Sequence, residues 1–171
     1  MISIRLEQPG DIAAVRAVNE AAFGQPTEAI IVDVLRNACP EAISIVAVED
    51  DQVLGHIFFS AVSVSGGHAV AGGMGLAPMA VLPNRQREGI GTRLVHAGID
   101  AVRERNCPFI VVLGHPKYYP RFGFMPASRH GLSCQWAGVP DDAFMVLVLD
   151  TPAMSGVSGT ARYRDEFDQA V

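Results

Sequence analysis

One stretch near the middle of the chain combines a strand, a tight turn and a helix, and the rest of the sequence can be ordered around it. Met79–Leu82 is an apolar run that ends at Pro83, which predicts a strand that stops there. The polar and basic segment 84–88 is typical of a loop. From Ile90 onward, apolar residues recur at a spacing of three to four, which predicts an amphipathic helix.

The junction between this turn and the helix has the properties of an anion-binding site. The first N–H groups of a helix have no acceptor inside the helix, and the positive end of the helix dipole lies there. Gly89 and Gly91 lack side chains, so a phosphate group can approach the backbone closely. Arg85, Arg87 and Arg93 add positive charge around the same turn. We interpret the junction as a phosphate site; the alternative is an ordinary strand-to-helix turn whose glycines permit tight packing.

Two common phosphate-binding motifs do not fit this stretch. A Walker loop requires Gly-Lys followed by Ser or Thr, which the sequence lacks, and a dinucleotide fingerprint requires a glycine where Leu94 stands. The stretch does resemble the acetyl-CoA loop of the GNAT superfamily of N-acetyltransferases. That family's pattern is V-x-P followed by [QR]-x-x-G-x-[GA]. It is matched here by Val81-Leu82-Pro83 and by Gln86-Arg87-Glu88-Gly89-Ile90-Gly91.

The predicted elements follow the order of the same family. They run β-α-α-β-β-β-α-β-α-β-β, which indicates an α/β fold. The resemblance implies a GNAT-like fold with a central mixed, splayed β-sheet flanked by helices; the layout matches over roughly residues 2–149. We expect residues 1–150 to form the acetyltransferase domain. Residues 151–171 are expected to be a tail that is disordered, or that lies on the surface or on a neighbouring subunit.

Pro78 interrupts the strand that leads into the turn. Because proline cannot donate to a strand ladder, it marks an edge or a bulge. In GNAT proteins the fourth strand carries such a bulge, and the pantetheine arm of the cofactor fills the gap beside it; the alternative is a bulge without a ligand. The resemblance implies two sets of cofactor contacts. They are Met79, Ala80 and Val81 on the strand, and Arg87, Glu88, Gly89, Ile90, Gly91 and Thr92 on the loop.

A second block of sequence supplies a candidate acid. Tyr119 lies four residues before Gly123, and the second GNAT motif ends in Y-x-x-x-G-F with a tyrosine that commonly faces the cofactor sulfur. A phenol can donate a proton to a departing thiolate. The resemblance therefore implies that Tyr119 is the acid and that Phe122 contacts the cofactor. The alternatives are Tyr118, or an aromatic pair that only packs on the core.

The acceptor amine must lose a proton before it attacks, since a free alkylamine has a pKa of about 10. Many family members place a glutamate on or next to the fourth strand, but residues 73–83 contain no Asp, Glu or His. We predict that His115 acts as the base through water. His56, Glu20 and a water chain that ends on backbone carbonyls stay open as alternatives. No metal is required by this chemistry.

Composition restricts the setting of the protein. The chain has 171 residues, of which 49% are hydrophobic and 18% charged, which is typical of a globular domain. A net charge of −5 argues against a general nucleic-acid binder. The start does not resemble a signal peptide, no apolar run approaches membrane-spanning length, and three scattered cysteines suggest neither a zinc site nor disulfides. We predict a cytoplasmic protein with no nucleic-acid or membrane partner.

The resemblance implies an N-acetyltransferase that moves the acetyl group of acetyl-CoA to an amine by direct attack in a ternary complex. The acceptor is a small-molecule or peptide amine, and a homodimer is compatible with the sequence. The block 114–124 most resembles a bacterial subgroup of predicted acetyltransferases of uncertain substrate. The alternatives are a non-catalytic module that binds or senses acyl-CoA, and a transferase that uses another acyl-CoA.

Overall fold

The computed structural model describes residues 1–65 and 72–169. In this part of the chain the α-helices are Ile12–Phe23 (α1), Thr27–Ala38 (α2), Ile90–Glu104 (α3) and Glu166–Gln169 (α4). The strands are Ser3–Leu6 (β1), Ile43–Glu49 (β2), Gln52–Ser65 (β3), Gly72–Val81 (β4), Phe109–Leu113 (β5), Met125–Pro126 (β6), Leu132–Cys134 (β7), Phe144–Val148 (β8) and Gly159–Arg162 (β9). The turn between β3 and β4, expected at 66–68, and the last two residues of the expected tail lie outside the described residues.

The strands form a mixed sheet with the hydrogen-bonded order β1-β2-β3-β4-β5-β8-β6, and β9 pairs with β3 and β7. The chain divides into two compact units that interleave along the sequence. The first unit comprises Met1–Ser60, Ala77–Ala101 and Asp165–Val171, and the second comprises Ala61–Leu76 and Val102–Arg164. β3, β4 and α3 each begin in one unit and end in the other.

The first unit is built on antiparallel pairing of β1, β2 and the first part of β3. In this register Ile4 lies opposite Ala47, and Val46 lies opposite His56. α1 and α2 pack against each other, and α1 ends at Gly24, whose φ of 69° glycine adopts readily. Both helices bury apolar side chains at helical spacing, namely Val15, Val18, Ile31, Val32 and Leu35.

α3 lies close to β3 because glycine replaces a side chain at two contacts. A Cβ atom at Gly98 of α3 would lie 2.4 Å from the ring of Phe59 on β3. A Cβ atom at Gly55 of β3 would lie 3.0 Å from Leu94 and 3.1 Å from Ile90 of α3. The apolar face predicted for this helix is therefore the one that packs on the strand.

In the second unit, β4 and β5 pair in parallel. The pairing joins Met74–Leu76 of β4 to Ile110–Val112 of β5. β5 then pairs antiparallel with β8, and β8 pairs with β6. β5 is buried from Phe109 to Val112, and its continuous apolar run is typical of a strand covered on both faces.

After β5, Tyr119–Phe122 forms a single 3₁₀ turn, because Pro120 has no N–H to donate and Gly123 ends the turn with a φ of 98°. One expectation for the C-terminal half is corrected, because the segment expected to be a tail contains a strand of the sheet. β9 pairs in the sheet with β3 and β7, and Tyr163 behind it is 5% exposed.

A polar chain centred on the fully buried Asn19 and His56 crosses the first unit from α1 to β2. The Asn19 side-chain nitrogen lies 3.0 Å from Nδ1 of His56, and the Ser44 hydroxyl lies 2.8 Å from its Nε2. Asn19 also donates to the carbonyl of Val15 at 3.0 Å. Burial, with a smaller contribution from the positive charge of Arg36, lowers the pKa of His56 to about 3. The imidazole is therefore neutral in the folded protein at neutral pH.

We predict that this histidine makes stability fall in acid. A histidine in the unfolded chain has a pKa of about 6.5, so as pH falls below that value the unfolded state takes up a proton that the folded state does not. The contribution of His56 is therefore fully present above pH ~6.5 and is lost towards about pH 3. The slope approaches about 1.4 kcal/mol per pH unit.

Urea unfolding between pH 7.5 and 4.5 measures this slope. The His56→Gln variant should reduce it by up to one proton, whereas His130→Gln, which changes a histidine outside the buried network, should not. Equal slopes in the wild-type protein and in His56→Gln would contradict the prediction.

Candidate active site

The loop that follows β4 holds a defined backbone conformation. The N–H of Leu82 donates to the carbonyl of Leu54 at 2.9 Å, and the side-chain amide of Gln86 donates to the carbonyl of Val81 at 3.2 Å. Arg87 has a φ of 67° and Gly89 a φ of 83°, both in the left-handed region. These contacts bring the chain directly into the first turn of α3.

The start of α3 has the open backbone expected of an anion site. The N–H of Arg93 donates to the carbonyl of Gly89 at 3.1 Å, so the preceding N–H groups, from Ile90 to Thr92, have no acceptor inside the helix. No heavy atom lies within 4 Å of a Cβ placed at Gly89. The Ile90 side chain is buried, so this residue can offer a ligand only its backbone.

The charges around the loop differ from the sequence-based expectation. Arg85 donates from Nε to Glu88 at 2.7 Å and from Nη2 to Glu49 at 2.9 Å. These carboxylates raise the pKa of Arg85 and occupy its guanidinium, so Arg85 is not a free positive charge. Arg87 and Arg93 are exposed and form no ion pair with another described residue. They are the cations available to a ligand.

The predicted strand contacts lie at the end of β4. Met79 and Val81 are half-exposed while Ala80 between them is buried, as the alternation of a strand requires. The recorded pairing of β4 with β5 ends at Leu76, before the cis peptide bond Ala77–Pro78. The backbone of residues 77–81 therefore lies beyond the part of β4 that is paired with β5.

In the second unit, Tyr119 is held in a cluster of aromatic rings. A Cβ at Gly114 would lie 2.4 Å from Cε2 of Tyr119. Tyr118 contacts the Tyr119 ring edge-on at 5.1 Å between centroids, and Phe124 does so at 5.7 Å. Phe122, another predicted contact, lies 6.5 Å away.

The environment of Tyr119 favours the protonated phenol. Its side chain is 7% exposed. Burial, followed by the influence of Tyr118, raises the pKa of Tyr119 far above that of a free tyrosine. A phenol in this state keeps its proton at neutral pH, so its O–H is available as a hydrogen-bond donor to a departing thiolate.

The three candidate bases differ in their exposure to solvent and in the groups that they contact. His115 follows Gly114 and is exposed to solvent. Its backbone carbonyl accepts a hydrogen bond from the N–H of Tyr118 at 3.0 Å. His56 is sealed in the polar chain described above, so it is not a base open to a substrate. Glu20 lies 3.8 Å from Arg16 on the surface of α1. Of the three side chains considered, His115 stays the candidate.

Sequence reasoning missed one residue close to this cluster. Tyr163 packs beside Trp136 at 5.5 Å between ring centroids, and its hydroxyl donates to the carbonyl of Val111 at 3.2 Å. The small and polar composition of the preceding residues concealed the strand. The available signal was the alternation in Thr160-Ala161-Arg162-Tyr163, with Ala161 and Tyr163 buried.

A separate open groove lies in the first unit and contains none of the predicted site residues. Its volume is about 380 Å³. Its lining combines apolar side chains of α1 with the turn between β2 and β3: Ala14, Ala17, Val18, Asp50, Asp51, Gln52, Val53 and Leu82.

Comparison with known proteins agrees with this architecture. Residues 3–127 match the family model described as the acetyltransferase (GNAT) domain. The chain is similar to the uncharacterized N-acetyltransferase YhbS of Escherichia coli strain K12, with 35% identity over 167 residues, which cover 97% of this chain and 98% of the relative.

Two solved structures are similar over nearly the whole chain. The E. coli YhbS structure in complex with CoA has a TM-score of 0.89 at 35% identity and covers 98% of this chain and 92% of that one. A GNAT family acetyltransferase from Brucella melitensis in complex with acetyl-CoA has a TM-score of 0.79 at 38% identity, covering 98% and 99%.

Together the mixed sheet, the open start of α3 and these matches define an acyltransferase. The chain belongs to the GNAT family of acetyltransferases. The predicted family, the predicted fold class with its splayed mixed sheet, and the predicted enzyme class are confirmed. The CoA and acetyl-CoA in the two related structures agree with acetyl-CoA as the predicted cosubstrate. In the described residues, no helix is both long and apolar enough to cross a membrane.

We predict that Gly114→Ala destabilises the protein. The added methyl group would overlap the Tyr119 ring at 2.4 Å, and overpacking of this kind costs about 1–3 kcal/mol of unfolding free energy. Urea unfolding should show this loss. Gly10→Ala, which has no heavy atom within 4 Å of the new Cβ, should change stability by less than about 0.5 kcal/mol. Equal stability of the two variants would show that Gly114 is not constrained by the ring.

Proposed function

We propose that the protein transfers the acetyl group of acetyl-CoA to an amine by direct attack while both substrates are bound. The observation that carries this proposal is the start of α3, where the backbone is open at Gly89 and Arg87 and Arg93 are unpaired with other described residues. In a chain of the GNAT family, this backbone suits the pyrophosphate of CoA. The related complexes with CoA and acetyl-CoA support the same donor.

The proposed contacts with the donor come from two segments. The N–H groups at the start of α3 hold the pyrophosphate, and the residues assigned to this loop are Arg87, Glu88, Gly89, Ile90, Gly91 and Thr92. Glu88 contributes its backbone, because its carboxylate already accepts from Arg85. Met79, Ala80 and Val81 offer the pantetheine arm the backbone groups of β4 beyond its pairing with β5. A backbone N–H of this strand stabilises the oxygen of the thioester as negative charge develops.

The chemical step follows from the protonation states of the chain's own groups. The amine nitrogen attacks the thioester carbonyl carbon, the C–S bond breaks, and the departing thiolate takes the proton of Tyr119. The strongly basic phenolate then regains a proton from water before the next turnover. The proton released by the amine passes through water to His115, which is exposed and can exchange it with solvent. Phe122 packs beside Tyr119 and is assigned to the same cofactor contact.

The acceptor is proposed to be a primary amine of a small molecule or a peptide. A cytoplasmic setting, the absence of nucleic-acid and membrane partners, and an optional homodimer stay predictions from the sequence. A panel of polyamines and lysine-containing peptides, with release of the CoA thiol as the measurement, would identify the acceptor class.

Acetyl-CoA should raise the melting temperature. A ligand that binds only the folded state at one hundred times its Kd adds about 2.7 kcal/mol, which corresponds to roughly 5–10 °C for a protein of this size. Gly89→Glu should abolish the shift, because its carboxylate repels the pyrophosphate and occupies the open backbone. Gly156→Glu is the matched control, since Gly156 also has a positive φ, of 75°, and no heavy atom within 4 Å of its Cβ position.

No shift in the wild-type protein at saturating acetyl-CoA would contradict the proposed donor. A shift that survives in Gly89→Glu would leave donor binding intact but would remove the loop from the site.

Tyr119→Phe should lower turnover by about 100-fold or more, the usual contribution of a positioned acid or base, while acetyl-CoA still raises the melting temperature. Hydroxylamine is a suitable acceptor, because it is uncharged at neutral pH and its acetylation isolates the departure of the thiolate from the deprotonation of an amine. The measurement is release of the CoA thiol together with formation of acetohydroxamate.

Full turnover in Tyr119→Phe would contradict the assignment of the acid, and a loss in Tyr118→Phe alone would move that role to Tyr118. The same experiment addresses the non-catalytic alternative, because a module that only binds acyl-CoA has no turnover to lose. A panel of acyl-CoA donors distinguishes acetyl-CoA from other acyl groups.

A further inference from the structure

Tyr163 joins three parts of the second unit through a single side chain. It follows β9, and its N–H donates to the side-chain oxygen of Gln135 at 2.6 Å. Because β9 pairs with β3 and with β7, the position of the Tyr163 backbone is determined by two neighbouring strands. The ring projects from a backbone that is held firmly.

The ring of Tyr163 covers β4 where a side chain is missing. A Cβ at Gly75 would lie 2.5 Å from Cε2 of Tyr163 and 2.7 Å from Cγ2 of Val62. No residue larger than glycine fits at this point of β4 while the ring is in place. Tyr163 and Gly75 are thus complementary parts of one contact.

The hydroxyl of the same side chain reaches β5. It donates to the carbonyl of Val111 at 3.2 Å, in a buried environment. Gly75 and Val111 are partners in the parallel register, one position before the recorded pairing ends at Leu76 and Val112. Tyr163 therefore contacts both strands near the last recorded pair.

The fixed carbonyl belongs to the strand that leads to the candidate acid. Three residues after Val111, Gly114 provides the surface on which the Tyr119 ring packs. The two phenols are close enough that Tyr119 contributes to the raised pKa of Tyr163, after the larger effect of burial. A phenylalanine at position 163 would fill the same space but could not hold the carbonyl.

We propose that Tyr163 is a positioning residue for acetyl transfer: its hydroxyl holds the carbonyl of Val111 and so fixes the end of β5 from which Tyr119 is presented. This inference rests on the proposed function, since it assigns Tyr163 to the support of the proposed acid. It gives the C-terminal segment a role in the chemistry besides completing the sheet.

Tyr163→Phe tests the proposal, because it removes only the hydroxyl. With acetyl-CoA and hydroxylamine as substrates, kcat should fall about tenfold, the equivalent of one ordinary hydrogen bond, while the KM for acetyl-CoA stays unchanged. Ser133→Ala is the matched control, since it removes a hydroxyl that joins β7 to Thr160 on β9 and does not reach β5. Its kcat should equal that of the wild-type protein.

A double-mutant cycle separates positioning from a general structural effect. If Tyr163 acts through Tyr119, Tyr163→Phe should have no further effect on kcat in the Tyr119→Phe background. Hydrogen exchange offers a second readout that needs no acceptor, because Tyr163→Phe should speed exchange of amides in 109–119 while β1 and β2 are unaffected.

The inference is overturned if Tyr163→Phe has wild-type kcat, or if its effect is the same with and without the Tyr119 hydroxyl. Unchanged exchange in 109–119 would also overturn it. If the wild-type protein neither binds acetyl-CoA nor accelerates acetohydroxamate formation, the proposed function itself fails, and this inference fails with it. An active wild-type protein with an unaffected Tyr163→Phe variant would remove only the present inference.

Discussion

The close approach of α3 to β3 is the constraint on which the candidate cofactor loop depends. Phe59 occupies the space of a missing side chain at Gly98, and Ile90 and Leu94 occupy that at Gly55. Because Ile90 is the first residue of α3, this packing sets where the helix begins. The chain must then pass from the end of β4 to this residue within a short turn, and Arg87 and Gly89 adopt left-handed backbone in it. An open helix N-terminus is the result.

Local signals in the sequence were sufficient for most of the first unit and for the start of the candidate site. Apolar residues at helical spacing mark α1 and α2, and the change from strand to helix period around Pro83 locates the start of α3. These features depend on interactions between residues a few positions apart, and such interactions leave a regular pattern. The GNAT motif added the function that the periodicity alone does not contain.

What the sequence did not reveal depends on partners far apart in the chain. The sequence predicts Arg85 as a cation of the loop, but Glu49, 36 residues away, accepts a hydrogen bond from it. His56 was an open candidate for a base, and only the fold shows that Asn19 and Ser44 enclose it. β9 was missed because a four-residue strand with small polar neighbours has no strong period of its own, and its identity comes from pairing with β3 and β7. The predicted contacts with substrates stay predictions, since they concern molecules outside the chain.

Several glycines in this protein share one geometry, in which an aromatic ring lies where a side chain would begin. Phe109 covers Gly73, Tyr163 covers Gly75, Phe59 covers Gly98 and Tyr119 covers Gly114. At such a contact the two positions are not independent in sequence space: an added methyl group on the glycine is tolerated only if the ring becomes smaller or moves. Libraries that vary one member of a pair at a time would therefore underestimate the range of sequences that this fold accepts, whereas libraries that vary both members together would recover it.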